Sequence, residues 1–497
     1  MRKLALLLIV LTVIWMAACG GSGTSSNTST VTSVMASCTP STVYSGQISQ
    51  CSATVSGTGN FSTSVNWTSN AGSIGSSAVL TVPTVTAPQT VTVTATSTQT
   101  SSVTGTATVT VNPPPSGPNV ASLIVDDGPA GSGGETNIGY VTVTICVHGT
   151  QTCQTIDHVQ IDTGSEGFRV LSSVLTLSLP QELVDGNPLN ECLVFEDGYV
   201  WGPVSTADIT VAGETASNVP VQVMIPSTSS PPVPSSCSSQ TSGPDEGGSV
   251  SDFGANAILG VGPFQQDCGL GCTNLNNQLP DLYYLCPSNS CSPTYVPLAQ
   301  QLPNPVTAFA ADNNGVAIGF PAVPYGGTTN LNGWLIFGIG TQSNNGLNGA
   351  TVYPIPDQGN NAGDFITYYS NTAYPQSFID SGSNGLFFLD TNTTGIPTCT
   401  GYMGASSWYC PSTTPESLTA QNQGQTNSGT SGSPITVNFS IENANNLFNT
   451  GNTAFSTLSG PNTGVFDWGL PFFFGRDVLT AIDTMSTPGG TGPYFAY

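Results

Sequence analysis

Short runs of alternating apolar and polar residues recur along the chain and predict β-strands almost throughout. Examples are "AVLTVPTV" and "GTATVTVN" before residue 112, and "HVQID" and "ATVYPIP" after residue 120. Gly, Ser, Asn and Pro break the runs, as expected at turns between strands. Helical periodicity is rare, and "PLAQQLP" and "DVLTAID" are the nearest candidates. The pattern predicts an all-β protein.

The chain divides at changes in composition. Residues 35–112 predict a small β-sandwich with Trp67 in its core, and they resemble bacterial immunoglobulin-like modules in their tryptophan strand and closing "GTATVTV" strand. A Ser/Thr/Gly tether, 20–34, precedes the sandwich, and a stiff Pro-rich linker, 113–119, follows it. Within the remaining residues, the Ser/Pro/Gly-rich segments 226–250 and 411–434 predict long surface loops.

The first 19 residues predict export. Arg2 and Lys3 precede an apolar run that is too short to span a membrane comfortably, and Ala17 and Ala18 precede Cys19. This end resembles a bacterial lipoprotein signal, which implies acylation of Cys19 and attachment to the cell envelope, on the periplasmic side or the cell surface. An ordinary signal peptide with an incidental cysteine is the alternative.

The cysteine count fits an oxidising compartment, since 13 cysteines less Cys19 leave 12, an even number. Spacing alone does not determine connectivity, but four close pairs are plausible bridges: Cys38/Cys51, Cys146/Cys153, Cys286/Cys291 and Cys399/Cys410. With only two histidines and no pair of CxxC units, we predict no metal site.

The charge balance excludes several classes of partner. Four basic residues stand against 28 acidic ones, for a formal net charge of −24. Such a surface repels nucleic acid and anionic lipid, so the lipid anchor is the only membrane contact that we predict. Carboxylates lose their mutual repulsion when acid protonates them, which indicates an exported protein that tolerates acid.

One motif occurs twice, as "VQIDTGSEGF" at 159–168 and "SFIDSGSNGL" at 377–386. In each copy an extended apolar run ends in Asp, and Gly then permits a sharp turn in which the flanking hydroxyls bond the backbone. The predicted site residues are the carboxylates Asp162 and Asp380 and their supports Thr163, Gly164, Ser165, Ser381, Gly382 and Ser383.

Two such turns that meet tip to tip bring two carboxylates together. Both cannot ionise cheaply, so the pair holds one proton across a window of acidic pH. The ionised member can activate water, while the protonated member donates to a substrate carbonyl. This chemistry hydrolyses an amide without a metal or a covalent intermediate.

The chain therefore resembles the pepsin-like, two-lobed aspartic proteases, which carry this motif once in each lobe. Further matches follow in the family's order: a flap hairpin at 194–204, a first threading element at 256–263, the crossing between lobes at 332–341 and a closing element at 466–483. The resemblance implies a bilobal double β-barrel with lobes at 120–345 and 346–497. It also implies an extended polypeptide substrate, a flap contributing Phe195 or Tyr199, no cofactor and a monomer.

Two positions depart from the family pattern. Arg169 stands where the family commonly has an indole, and Asp467 stands where an apolar residue is usual. Our prediction is an exported, lipid-anchored, acid-active aspartic endopeptidase, related to bacterial lipoproteins known only as a domain of unknown function. The alternative is a non-catalytic cleft that binds peptide or glycan, favoured if Arg169 pairs with Asp162. A glycosidase with paired carboxylates is a weaker alternative.

Overall fold

A computed structural model describes residues 29–273, 281–400 and 407–497. Cys19 and the predicted signal lie outside these residues. The described part has strands in nearly every segment and only short helices, so the all-β prediction is confirmed. No helix in the described ranges is long and apolar enough to cross a membrane.

The N-terminal part is a β-sandwich with its own core. Two four-stranded sheets, in the orders β1-β3-β6-β5 and β2-β8-β7-β4, bury the apolar side chains between them. The first strand begins at Thr30, inside the range predicted as tether, because Val31 and Val34 are buried against the neighbouring strands. The strands are β1 Thr30–Thr39, β2 Thr42–Tyr44, β3 Ile48–Thr58, β4 Val65–Ser69, β5 Ser73–Ile74, β6 Val79–Thr81, β7 Gln89–Ser97 and β8 Thr104–Asn112.

A mixed 16-stranded sheet forms the first lobe and the base that joins the two lobes. Its first-lobe strands are β9 Val120–Val125, β10 Tyr140–Cys146, β11 Cys153–Asp162, β12 Glu166–Leu171, β13 Leu183–Val184, β14 Asn187–Val194, β15 Tyr199–Val211, β16 Glu214–Met224, β17 Ala257–Val261, β18 Tyr283–Leu285 and β19 Ser292–Pro293. Its base adds β20 Gly315–Gly319, β21 Leu331–Phe337, β22 Val352–Pro354, β30 Asp477–Ala481 and β33 Tyr494–Ala496.

A seven-stranded sheet forms the second lobe, in the order β27-β26-β23-β24-β29-β25-β28. Its strands are β23 Phe365–Tyr369, β24 Thr372–Ile379, β25 Leu386–Leu389, β26 Glu416–Thr426, β27 Gly429–Ile441, β28 Ser459–Gly460 and β29 Asn462–Trp468, and a separate hairpin pairs β31 Ser486–Thr487 with β32 Gly490–Thr491. One continuous apolar core runs through both lobes.

The helices are single turns. The α-helical turns are α1 Ser235–Ser238, α2 Val250–Phe253, α3 Thr391–Thr394 and α4 Ala444–Phe448. The 3₁₀ turns are Gly269–Cys272, Pro287–Asn289, Leu298–Gln300, Pro305–Ala308 and Leu470–Phe473. The candidate helix "DVLTAID" was a wrong prediction, because residues 477–481 form the central strand β30, buried on both faces.

The predicted loop 411–434 is also wrong in large part. The strands β26 and β27 pair there as a long antiparallel hairpin that closes at residues 427 and 428. Its outward side chains are mostly Ser, Thr and Asn, so the apolar alternation that identifies a strand is weak. The segment 226–250 does lack strands, as predicted.

Six disulfides join the 12 described cysteines, and all four predicted pairs are among them. The other two bridges are Cys192–Cys237 and Cys268–Cys272. Cys192–Cys237 fastens the loop 226–250 to the hairpin of β14 and β15, which approaches the cleft between the lobes.

The sandwich packs directly against the base of the two-lobed unit. The Gln47 side-chain amide donates to Asp477 Oδ1 at 2.7 Å, and Trp334 Nε1 donates to the same oxygen at 3.0 Å. The ring of Tyr44 lies edge-on to Trp334 with centroids 5.4 Å apart. These contacts involve β20, β21 and β30 or their neighbours, away from the two Asp turns.

Candidate active site

The two predicted catalytic carboxylates lie at equivalent places in the two lobes. The strand β11 ends at Asp162 and runs parallel to β17, with Asp162 opposite Gly260, and β12 returns antiparallel on the other side of β17. In the second lobe β24 runs parallel to β29, β25 returns antiparallel to it, and Asp380 directly follows β24. The same strand–turn–strand unit around a threading strand therefore occurs once in each lobe. This repetition explains why the sequence contains the Asp motif twice.

Each turn holds its own carboxylate in place. The backbone N–H of Gly164 donates to Asp162 Oδ1 at 2.7 Å, and the Ser165 hydroxyl donates to Asp162 Oδ2. In the second copy the Gly382 N–H donates to Asp380 Oδ1 at 2.7 Å, and the Ser383 hydroxyl donates to Asp380 Oδ2 at 2.8 Å. Both carboxylates are thus oriented by two donors from the residues that follow them.

Hydrogen bonds beneath the carboxylates lock the two turns together. The Thr163 hydroxyl donates to the Ile379 carbonyl at 3.1 Å and accepts from the Ser381 N–H at 2.9 Å. The Ser381 hydroxyl donates to the Ile161 carbonyl at 2.8 Å and accepts from the Thr163 N–H at 3.1 Å. Both hydroxyl residues are buried. This reciprocal arrangement fixes one lobe against the other at the site.

The two glycines allow the carboxylates to approach each other. A Cβ added to Gly164 would lie 2.7 Å from Asp380 Cγ, and one added to Gly382 would lie 2.5 Å from Asp162 Oδ1. Neither distance is tolerated between non-bonded atoms. Each glycine of the motif thus leaves room for the carboxylate of the opposite lobe.

The electrostatics of the pair favour a shared proton. Burial raises the pKa of Asp380 well above its ordinary value, and the neighbouring carboxylates Asp162 and Asp467 and the hydrogen bond with Asp162 raise it further. Two carboxyl groups that approach each other this closely cannot both ionise cheaply. The geometry therefore favours one proton shared by the pair.

Arg169 does not contact the pair. Its guanidinium bonds Glu191 at 2.6 Å, Asp267 at 3.2 Å and the Glu166 carbonyl at 2.6 Å, and the side chain is fully buried. The ion pair with Asp162 that would favour a non-catalytic cleft is absent among these contacts. Arg169 instead pairs with two buried acidic side chains of its own lobe.

The family model described as "Protein of unknown function (DUF3443)" matches residues 115–497, which is three quarters of the chain. The chain belongs to the DUF3443 family. The match covers both lobes and leaves the sandwich, 30–112, outside it.

Other comparisons add a distant likeness in structure. The crystal structure of an aspartic proteinase from Irpex lacteus aligns over 76% of this chain and 96% of that chain, with 13% sequence identity and a TM-score of 0.43. A search of the curated proteins returned no match.

In this member of the DUF3443 family the carboxylates lie on the floor of a cleft of about 730 Å³ between the lobes. That volume is within the range of small-molecule sites. The tip of the β14–β15 hairpin reaches the same cleft, because Phe195, Glu196 and Asp197 are among its lining residues.

The two flap candidates lie in different environments. Phe195 lines the cleft and its ring lies 6.4 Å from that of Phe253, another lining residue. Tyr199 is not among the lining residues and is buried with Trp201 and the Cys192–Cys237 bridge. The prediction of Tyr199 as a flap residue is therefore corrected, because side chains alternate along β15 and that of Tyr199 packs inside the lobe.

The structure adds site residues that the motifs did not indicate. The Gln160 side-chain amide donates to the Gly382 carbonyl at 2.9 Å and so bridges the lobes. Asp467 lines the cleft, and burial raises its pKa well above the ordinary value. The only sequence signal for Asp467 was a polar residue at a position where an apolar one was expected, and nothing in the sequence distinguished Gln160.

Proposed function

We propose that this protein is an acid-active aspartic endopeptidase. The observation that carries the proposal is the close approach of Asp162 and Asp380, which line one cleft and are held by matching donors in their own turns. Burial and two neighbouring carboxylates favour the proton on Asp380. The proposal assigns Asp380 as the group that donates the proton and Asp162 as the general base.

The pair hydrolyses an amide by general acid–base catalysis. Asp162 takes a proton from water as the water oxygen bonds to the carbonyl carbon, and Asp380 gives its proton to the carbonyl oxygen. In the second step Asp380 takes a hydroxyl proton back, the C–N bond breaks, and Asp162 gives its proton to the leaving nitrogen. The products are an acid and an amine, and both carboxyl groups return to their starting states.

The experiment that tests this function is proteolysis by the full chain. We expect cleavage of an unfolded protein at about pH 3–5, loss of activity as the pair loses its proton at higher pH, and inhibition by a hydroxyl-bearing transition-state analogue. A metal chelator is expected to have no effect. Absence of cleavage across acidic and neutral pH by a folded sample would refute the proposal.

A glycine substitution tests whether the close approach of the carboxylates matters. We expect Gly382→Ala to lower kcat/KM for peptide cleavage roughly a hundredfold, because the added Cβ displaces Asp162 from its place beside Asp380. The matched control is Gly346→Ala, where the new Cβ would meet no atom closer than 3.7 Å. Equal activities of the two variants would contradict the geometric argument.

We further propose that the protein is exported and anchored to the bacterial envelope through a lipid on Cys19. The sandwich, proposed to be immunoglobulin-like, would stand between the anchor and the cleft. The six disulfides support an oxidising compartment. In this proposal the substrate is a polypeptide and the enzyme acts as a monomer. The anchor is tested by labelling cells with a fatty acid: the protein should take up the label, and Cys19→Ser should abolish the labelling.

A further inference from the structure

The cleft contains a buried carboxylate that lacks a full set of partners. Asp467 lies on β29 between the paired positions Phe378 and Phe387, and its side chain lines the cleft. The residue is 5% exposed, and its Oδ1 atom has no hydrogen-bond partner. A buried acceptor without a donor is unfavourable, and a ligand that supplies the donor removes that cost. The cleft therefore lacks a donor next to Asp467.

Asp467 is close to the catalytic pair. Burial raises the pKa of Asp467 well above its ordinary value, and the nearby hydroxyl of Ser383, which donates to Asp380, opposes that shift. Asp467 also raises the pKa of Asp380 through its charge. A group bound to Asp467 would consequently lie beside the bond that the pair cleaves.

Carboxyl groups also line the rest of the cleft. Among the described residues that line it, eight carry carboxyl groups and none is Lys, Arg or His. The pKa values of two of these acids are raised. Burial and, after it, the neighbouring Asp127 raise the pKa of Glu135 to about 7. Burial and, after it, Asp197 raise the pKa of Glu246 to about 8. The eight are Glu135, Asp162, Glu196, Asp197, Glu246, Asp252, Asp380 and Asp467.

The complement to this cleft is an organic cation. Within the described ranges, no group of three or more acids, cysteines or histidines is arranged to hold a metal ion. Apolar side chains, among them Ile138, Phe253 and Phe387, also line the cleft. Long basic side chains present both features, since their methylene stems pack on apolar surface while their charged ends find carboxylates.

We propose that the cleft selects polypeptides with Lys or Arg next to the cleaved bond, and that Asp467 binds the cationic end of that side chain. This inference rests on the proposed function. The ammonium or guanidinium group supplies the donor that Asp467 Oδ1 lacks and favours the ionised carboxylate, whose proton leaves as the cation binds. Glu196, Asp197 and Asp252 attract further basic residues of an extended chain.

The test compares three peptides that differ only at the residue before the cleaved bond, which is Lys, norleucine or Glu. We expect wild type to prefer Lys over norleucine roughly ten- to hundredfold in kcat/KM and to cleave the Glu peptide least. Asp467→Asn should remove most of that preference, so that the ratio of kcat/KM for the Lys peptide to that for the norleucine peptide falls toward one.

The matched control is Asp185→Asn. It removes one charge at an exposed site outside the cleft, where the backbone φ of +50° suits Asn as well as Asp, and no change in preference is expected. Thermal unfolding of Asp467→Asn checks that it is folded. The inference would be overturned if wild type cleaved the Lys and norleucine peptides equally. It would also be overturned if Asp467→Asn lowered kcat/KM equally for both peptides, and Asp467 would then be a positioning residue for the pair.

Failure of the proposed function has a different signature. If wild type cleaves none of the peptides, calorimetric titration still reports binding. Tight binding of the Lys peptide that Asp467→Asn weakens would refute catalysis and support the cation site. Equal affinity for the Lys and Glu peptides would overturn the cation site itself.

Discussion

Asp162→Asn and Asp380→Asn are each expected to lower kcat/KM for acid proteolysis by at least roughly a thousandfold. Asn cannot accept the proton of the attacking water as Asp162 does, and it cannot deliver a proton as Asp380 does. Because the two groups act as one unit, the double variant should be about as inactive as either single variant. Initial rates on one peptide near the wild-type pH optimum measure all three.

The same variants provide their own structural control. Asn is isosteric with Asp, and at position 380 it replaces a carboxyl group that burial already holds largely protonated in acid. We therefore expect the thermal midpoint of Asp380→Asn in acid to equal or slightly exceed that of wild type. Retention of more than about a tenth of wild-type activity by either single variant would exclude the paired-carboxylate mechanism.

The free energy of unfolding is expected to fall as pH rises from about 4 to 8. Burial raises the pKa of Glu166 to about 8 and that of Asp477 to about 6. A group whose pKa is raised in the folded state binds its proton more tightly there than in the unfolded chain. Its stabilising effect is complete below the unfolded pKa and is lost as pH rises through the folded pKa.

The expected loss is large because several groups act in the same direction. One pKa unit corresponds to about 1.4 kcal/mol, so Glu166 and Asp477 alone imply a loss on the order of several kcal/mol between about pH 4 and 8. The midpoint of thermal unfolding should fall by on the order of 10 °C. Burial also raises the pKa values of Glu135, Glu246 and Asp364, and the net charge of −24 adds self-repulsion as acids ionise.

Scanning calorimetry at a fixed ionic strength measures this dependence. The variants Glu166→Gln and Asp477→Asn remove one titrating group each and should flatten the curve, the first mainly between about pH 4 and 8 and the second between about pH 4 and 6. A thermal midpoint that stays constant or rises over that interval would contradict the assignment of neutral buried acids.

Local sequence predicted the parts of this protein that depend on nearby residues. An apolar run followed by Asp, Gly and a hydroxyl residue determines a strand end and a turn, and both copies form such turns. Cysteines a few residues apart meet across a hairpin or a turn, and the four close pairs are bridged as predicted. The resemblance to the two-lobed proteases implied a threading strand after each Asp turn, and β17 and β29 occupy these places.

Other features depend on which distant elements meet. Arg169 pairs with Glu191 and Asp267 because β12 packs near β14 and the loop after β17, and no spacing in the sequence indicates this. The hairpin of β26 and β27 pairs polar strands whose outward faces carry no apolar alternation.

The sequence by itself determined two equivalent Asp turns, the all-β character and an acidic surface, since each follows from residue type and local geometry. Only the tertiary structure decided that Gly164 and Gly382 admit the opposite carboxylates, that Phe195 rather than Tyr199 faces the cleft, and that Asp467 lies beside the pair. The physical reason is that burial and the approach of charges arise between segments far apart in the chain, so they exist only once the lobes have closed on one another.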